Sequence, residues 1–383
     1  MSRDGDDRPD VLEFGSGRGR PKWVVPLVVV ALVVAAGVVA WRTGHRGEKP
    51  TATATPPSGA ASVIAVPTSS APGIILRKEA GRPILGVTAG WELFAWGPDT
   101  LVRIQMASGR VTLTTVPPPN TSGPMSFIVG RDWAVMRPLD VVAGTVVPDD
   151  QLPRRAAGAL GTHGPAFPGP DGDHLWAPAA DNGSAMTLVR PDGAPAGVNL
   201  ALPDGTTAEP DGTGYALVRG TGGVYLARPD GLRRVTTGNV LATGPSAWLT
   251  QECDDQRVCV DVVIDRKTGA RRARPDLAFA SSGPTGLISP DGAQVAMYDT
   301  DPNGALQLHL IRLATGADKQ IDVPLGRYPD QGTMVWSPDS RWLFVAAGSG
   351  RLIPIDAATG KAADLGVELP LMLLVAIRPA GQK

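Results

Sequence analysis

Cysteine, histidine and aromatic side chains are scarce in this sequence. Two cysteines in 383 residues exclude a disulfide-dense scaffold and a four-thiolate zinc site. Neither sign of charge dominates. The formal net charge is −1, so no global basic field draws the chain to nucleic acid. Sustained helical periodicity with caps is missing after residue 73. The 47 glycines and 37 prolines fit that absence, because each weakens a helix interior, and a helical bundle is excluded. The sequence also lacks a GxSxG nucleophile elbow, an HExxH pair, a P-loop and the Ser-x-Asp-x-Gly-x-Thr-Trp box of sialidases. What is present is apolar: hydrophobic residues make up 43 %, too many for a wholly disordered chain. Arginine outnumbers lysine 29 to 7, a usage typical of high-GC bacterial coding.

One uncharged run, residues 23–41 (WVVPLVVVALVVAAGVVAW), stands apart. At about 1.5 Å per residue it reaches about 28 Å, close to the hydrocarbon thickness of a bilayer. Trp23 and Trp41 bracket it as interfacial rings would. The expectation is a single transmembrane helix. The alternative is a cleaved signal peptide, with Val38, Val39 and Ala40 as the cleavage stretch. The long preceding arm, residues 1–22, favours a retained anchor. Arg3, Arg8, Arg18, Arg20 and Lys22 precede the run, and Arg42, Arg46 and Lys49 follow it, which favours the N-terminus inside. The expected organisation is therefore a disordered cytoplasmic arm (1–22), a membrane helix (23–41), a Pro/Ala/Thr/Ser linker (42–72) and a folded domain (73–383). The expected location is the cell membrane, single-pass, with that domain extracytoplasmic.

Internal repetition decides the fold of residues 73–383. Glycine-containing turns between β-like runs recur at Gly109, Gly144, Gly193, Gly231, Gly269, Gly316 and Gly360, at intervals of about 42 residues. A second series has the same count and spacing: Trp91, Trp133, Trp176, Tyr215, Trp248, Tyr298 and Trp342. Four short strands per 40-odd residues is the blade of a β-propeller. One blade cannot bury both faces alone, so blades stack around a ring. The expectation is an all-β, seven-bladed β-propeller. The extra runs at 74–78 and 371–378 leave eight blades open, and one or both runs are expected to complete a blade across the termini.

The last two units carry the clearest motifs: LISPDGAQVAMYD, with Ser289, Pro290, Asp291 and Gly292, and VWSPDSRWLFVAAG, with Ser337, Pro338 and Asp339. These units resemble the SPDG-type repeats of TolB-like and WD40-like propellers. The resemblance is strong over residues 287–367 or so and holds only in outline before them. It implies a membrane-anchored bacterial envelope protein with an envelope partner. The SPDG turn itself has a structural mechanism, since Pro restricts φ, Asp accepts turn amides and Gly takes positive φ.

Candidate chemistry is sparse. Cys253 and Cys259 lie between two strand-like runs, where a hairpin disulfide fits. Asp299, Asp301 and Asn303 space oxygen ligands as the start of a calcium loop does, although Leu310 stands where an EF-hand needs an acid. The other reading of that segment is an Asn-Gly hairpin turn. His163, Asp171, Asp173 and His174 gather in a Gly/Pro-rich segment, without the spacing of a zinc site. His309 alternates with apolar residues on a strand. Trp96 and Trp336 fall outside the aromatic register and are the better ligand candidates among the tryptophans, with packing the plainer reading.

The functional expectation is a membrane-anchored, extracytoplasmic scaffold or sensor that binds envelope protein, without catalysis, cofactor or nucleic acid. Calcium is the one ion in view. A propeller that binds cell-wall glycan or a small ligand is the first alternative and predicts exposed Trp. A lyase or hydrolase built from channel carboxylates is the second.

Overall fold

The computed structural model describes residues 74–79, 81–118, 125–139, 144–156, 160, 164–179, 185–203, 206–274, 286–300, 305–325 and 331–380. The chain divides into two compact units, Met1–Val66 and Pro67–Lys383. All described residues belong to the second unit, and they are β-structure almost throughout.

The first sheet has five strands. Its local part is β1 (Ile74–Glu79), β2 (Glu92–Trp96), β3 (Thr100–Gln105) and β4 (Arg110–Thr115), and the order is β1-β4-β3-β2 followed by the C-terminal strand (Leu374–Arg378). The second sheet is β5 (Met125–Val129), β6 (Trp133–Pro138), β7 (Thr145–Pro148) and β8 (Arg154–Arg155). The third is β9 (Phe167–Pro168), β10 (Leu175–Pro178), β11 (Ala185–Val189) and β12 (Pro195–Ala201). The fourth is β13 (Ala208–Pro210), β14 (Ala216–Gly220), β15 (Gly223–Arg228) and β16 (Gly231–Thr236). A longer sheet follows. Its first half is β17 (Asn239–Thr243), β18 (Ala247–Cys253), β19 (Cys259–Asp265) and β20 (Arg271–Arg274). Its second half is β21 (Gly286–Ile288), β22 (Gln294–Thr300), β23 (Leu306–Arg312) and β24 (Asp318–Ile321). The last sheet is β25 (Met334–Trp336), β26 (Trp342–Ala346), β27 (Leu352–Asp356) and β28 (Lys361–Ala362), and β29 (Leu374–Arg378) returns to the first sheet.

The architecture is a β-propeller, and two expectations about it need correction. Five blades stand as discrete sheets. The other eight strands form one continuous sheet, because β17 and β21 pair in parallel at Ala242–Gly286 and Thr243–Leu287. A ring of seven separate blades, or of eight, is therefore not what forms. Gly286 explains the merger: a Cβ there would stand 2.7 Å from the Ala242 Cβ, so only glycine lets these strands approach. The second correction concerns the anchor. Residues 23–41 lie outside the described residues, as does the whole of 1–66. Among the described residues no helix is long and apolar enough to cross a membrane. The single-pass topology, the extracytoplasmic location and the membrane as a partner are withdrawn on that finding.

Core packing follows from strand alternation. Successive side chains leave a strand on opposite faces. In β2, Leu93 and Ala95 pack with Trp342 and Phe344 of the last sheet, while Phe94 and Trp96 pack with Ala134 and Met136 of the second. Both faces of the strand are buried, so all five of its residues are inaccessible. Each large side chain so buried contributes on the order of 2 kcal/mol. The first and last sheets thus share a core, and Trp91 meets Phe344 edge-on at 5.9 Å. The ring closes by strand pairing, since β29 supplies the inner strand of the sheet that β1 to β4 begin.

Antiparallel order sorts the connections onto two faces. Turns from the first to the second strand of a blade, and from the third to the fourth, share one face, here the turn face. Connections from second to third strands, and between blades, share the other, here the loop face.

Candidate functional site

The turn face is held together by polar contacts between neighbouring blades. In the turn after β21, the Ser289 hydroxyl donates to Asp291 Oδ1 at 2.6 Å, and the Gln294 amide donates to Ser289 Oγ at 3.0 Å. Gly292 takes φ +72° there. The turn after β25 repeats the plan: Ser337 donates to Asp339 at 2.5 Å, and Ser340 occupies the left-handed position at φ +60°. Ser340 Oγ then accepts the Asp291 amide of the preceding turn at 3.0 Å. In the fourth blade, buried Asp211 accepts the amides of Thr213 and Tyr215 at 2.8 and 2.9 Å. Arg266 pairs with Asp211, donates to Gly244 O at 3.2 Å, and stacks 4.2 Å over Trp248.

The densest cluster locks the C-terminal strand. Arg378, 1 % exposed, donates to Glu92 at 2.8 Å, to both Asp149 oxygens at 2.7 and 2.9 Å, and to Gly130 O at 2.6 Å. Arg103 joins from β3, at 2.8 Å from Glu92 and 3.0 Å from Asp149. Burial pulls the Arg103 pKa down, but the Glu92 hydrogen bond and the charges of Asp149, Glu92 and Asp150 raise it overall. In β6, burial lowers the Arg137 guanidinium to about 10. The charges of Arg378, Arg103, Glu92 and Asp149 are paired with one another, so their attraction offsets their desolvation and leaves little for a ligand.

The loop face differs. Cys253 and Cys259 are disulfide-bonded directly across the β18–β19 pair. Within the enclosed tip, Asp254 Oδ1 accepts the amides of Gln256 and Val258 at 2.9 and 2.8 Å. That stapled tip presents Val258 at 64 % exposure. On the same face, the connection from β28 to β29 presents Leu371 and Leu373, with Met372 between them fully buried. The Leu373 amide donates to Trp96 O at 2.7 Å, which fixes this connection beside the first blade.

A cleft of about 190 Å³ lies between β13–β15 and β17, lined by Thr206, Thr207, Glu209, Val218, Arg219 and neighbouring apolar residues. Glu209 sits on an inner strand, open to solvent on one side and crowded by protein on the others. Burial raises its carboxyl above the usual range, and the Arg219 charge opposes that rise without cancelling it. Arg219 donates to Asn239 Oδ1 at 2.6 Å.

The residues singled out in the sequence scatter. Asp299 is the penultimate residue of β22 and accepts the Thr300 amide at 2.8 Å, while Asp301 and Asn303 lie outside the described residues. His163 lies outside them too. His174 Nδ1 stands 2.6 Å from Asp171 Oδ2, and Asp173 pairs with Arg131 at 2.9 Å, so these three tie turns rather than converge on one point. His309 faces Asp318 at 3.0 Å across two outer strands. Among the described residues no group of three metal-binding side chains occurs. Every tryptophan among them is buried, Trp96 and Trp336 included, so the exposed aromatic platform that a glycan reading needs is not there. Glu209 and Arg219 gave no sequence signal beyond the Pro-Asp-Gly turn at 210–212.

No family model matches the chain, and no curated protein matches it. Several solved structures are similar to it at low identity. Apo AztD from Citrobacter koseri is 14 % identical over 76 % of this chain and 98 % of its own, with a TM-score of 0.39. TolB from Acinetobacter baumannii is 13 % identical over 70 % and 77 %, with a TM-score of 0.39. A protein of unknown function from Desulfotomaculum acetoxidans is 11 % identical over 76 % and 99 %, with a TM-score of 0.46.

Proposed function

We propose that the protein is a non-catalytic binding module whose loop face engages a protein partner. The supporting observation is a distribution. Of the five exposed large apolar side chains among the described residues, Val258, Leu371 and Leu373 stand on that face. Apolar anchors on a fixed frame are what protein interfaces bury at their centres. The disulfide and the Asp254 hydrogen bonds hold Val258 in place before binding, which lowers the ordering cost. The turn face has its polar groups committed to neighbouring blades and offers less.

The test uses the full chain, chemical crosslinking in an extract of its own cells, and mass spectrometry. Val258→Ser and the Leu371→Ser/Leu373→Ser double variant alter the loop face. Leu152→Ser, 57 % exposed on the turn face, is the control. One stoichiometric partner, captured by the wild type and the control and lost from both loop-face variants, supports the proposal. Equal capture by all four proteins overturns it, and so does substrate turnover by the purified protein.

A further inference from the structure

The tip of the β18–β19 hairpin is set apart from the sheet that carries it. Glu252, the last residue before it, is clamped. Its carboxylate accepts the Thr236 hydroxyl of the fourth blade at 2.5 Å and pairs with Arg271 of β20. Beyond that clamp, all seven residues from Cys253 to Cys259 are exposed, so none of their side chains is buried. The tip also runs against a backbone preference, since Arg257 takes φ +64°, a left-handed position that disfavours a residue with a Cβ. Hydrogen bonds within the tip oppose this: the Arg257 amide donates to Asp254 O and the Asp254 amide to Val258 O, each at 3.0 Å, beside the two amides that the Asp254 carboxylate accepts. Water competes for each of these exposed groups, so the net gain from each is small. The disulfide is the covalent restraint, and it closes the tip at its base, where Cys253 and Cys259 stand opposite each other.

Exposure also decides what reaches the bond. A thiolate opens a disulfide by attacking one of its sulfurs, so access controls the rate, and exposed disulfides are the labile ones. Both cysteines here are open to solvent. We propose that Cys253–Cys259 is a site of reversible thiol–disulfide exchange, opened by small soluble thiols, and that the exchange sets the order of the hairpin tip. A thiolate attacks one sulfur, forms a mixed disulfide and expels the other cysteine as its thiolate. A second thiolate attacks the small-molecule sulfur of that mixed disulfide and expels the second cysteine. Two thiols become one small-molecule disulfide, their two electrons go to the Cys253–Cys259 bond, and their two protons end on the cysteines. The same steps in reverse, with a small-molecule disulfide as oxidant, reseal it. With the bond closed, Val258 is presented on a fixed frame. With it open, only water-accessible hydrogen bonds hold the left-handed Arg257 and the anchor beside it. That regulatory consequence rests on the reading of Val258 as a partner anchor, whereas the exchange itself does not.

The test uses the full chain, without denaturant and without a partner, so it can fail while the protein-binding reading stands. The sequence has two cysteines in all, so every thiol released comes from this bond. Millimolar reduced glutathione, followed by iodoacetamide and mass spectrometry, should label both Cys253 and Cys259, and oxidised glutathione added before the iodoacetamide should abolish the labelling. In hydrogen exchange, the amides of Gln256, Arg257 and Val258 should exchange about tenfold faster or more in the reduced protein, with the slow amides of β10 and β26 unchanged. Cys253→Ser/Cys259→Ser should copy the reduced tip and ignore glutathione. A bond that yields thiols only in denaturant overturns the proposal. So does a reduced tip that exchanges as slowly as the oxidised one. Loss of protection in β10 and β26 on reduction overturns it as well, because the bond would then hold the whole fold rather than the tip.

Discussion

At the level of single residues, Arg378 sits at the centre of the buried ion cluster. It is buried and bonds to two carboxylates and a carbonyl. Removing one partner from a buried ion cluster leaves the others uncompensated. Arg378→Ala should therefore lower the unfolding free energy by roughly 3–5 kcal/mol in urea titrations. Arg378→Lys keeps the charge but loses the planar fork, and should fall between. Asp171 gives a pH signature. Partial burial pushes its carboxyl up, but the His174 side chain and the amides of Asp173 and His174 outweigh that and lower the pKa. A lowered folded-state pKa adds stability above the unfolded value and loses it as pH falls through the folded one. Asp171→Asn should therefore be less stable than wild type near neutrality, and the gap should close below about pH 4. The gap will be small, since this carboxylate is partly solvated. A gap that does not change with pH would assign the contact no electrostatic role.

At the level of elements, the turns were the most legible part of the sequence. Gly109, Gly193, Gly269, Gly316 and Gly360 lie between third and fourth strands, Gly231 opens a fourth strand, and all six take positive φ. Gly144 breaks the series. It lies between β6 and β7 on the loop face, while the true third turn of that blade holds Asp150 at φ +55°. Tyr298 breaks the aromatic series in the same way, standing mid-strand in β22 where its counterparts stand at strand starts. Spacing located these two repeats and missed their register; in the second sheet the cause is that aspartate can replace glycine in the left-handed position, as Asp150 does. At Gly269 a Cβ would meet nothing within 4 Å, so the backbone alone demands glycine. Gly269→Ala should cost about 1 kcal/mol in thermal unfolding, and Gly269→Asn less. Equal values for the two would point to a contact rather than a dihedral. The charged clusters were not legible at all. Glu92 and Arg103 meet across the β2–β3 pair, but Asp149 and Arg378 come from distant parts of the sequence with no shared motif, and the fold brings them to that pair.

At the level of the whole molecule, repetition in the sequence identified the propeller and could not show that two units merge. The cause is one missing side chain, at Gly286, on a strand of three residues. The merger predicts a pattern in hydrogen exchange. The slowest amides of β18 and β22 should open with the same free energy, while those of β10 and β26 report their own blades. Separate values for β18 and β22 would mean that the parallel pair adds nothing to cooperativity. Gly286→Val should split the two halves.

Closure has a mechanical side. The chain's first described strand, β1, is hydrogen-bonded only along its β4 edge, as the outermost strand of a sheet whose inner strand is β29. A pulling force applied to the residues before Ile74 therefore loads a rim strand rather than the seam. In a force-extension record, that geometry gives an early, low-force step as β1 peels away from Arg110–Thr115. The ring, still clasped by Arg378, would rupture later and at higher load. The strand can then act as a sacrificial fuse, absorbing strain from the N-terminal side before the clasp feels it.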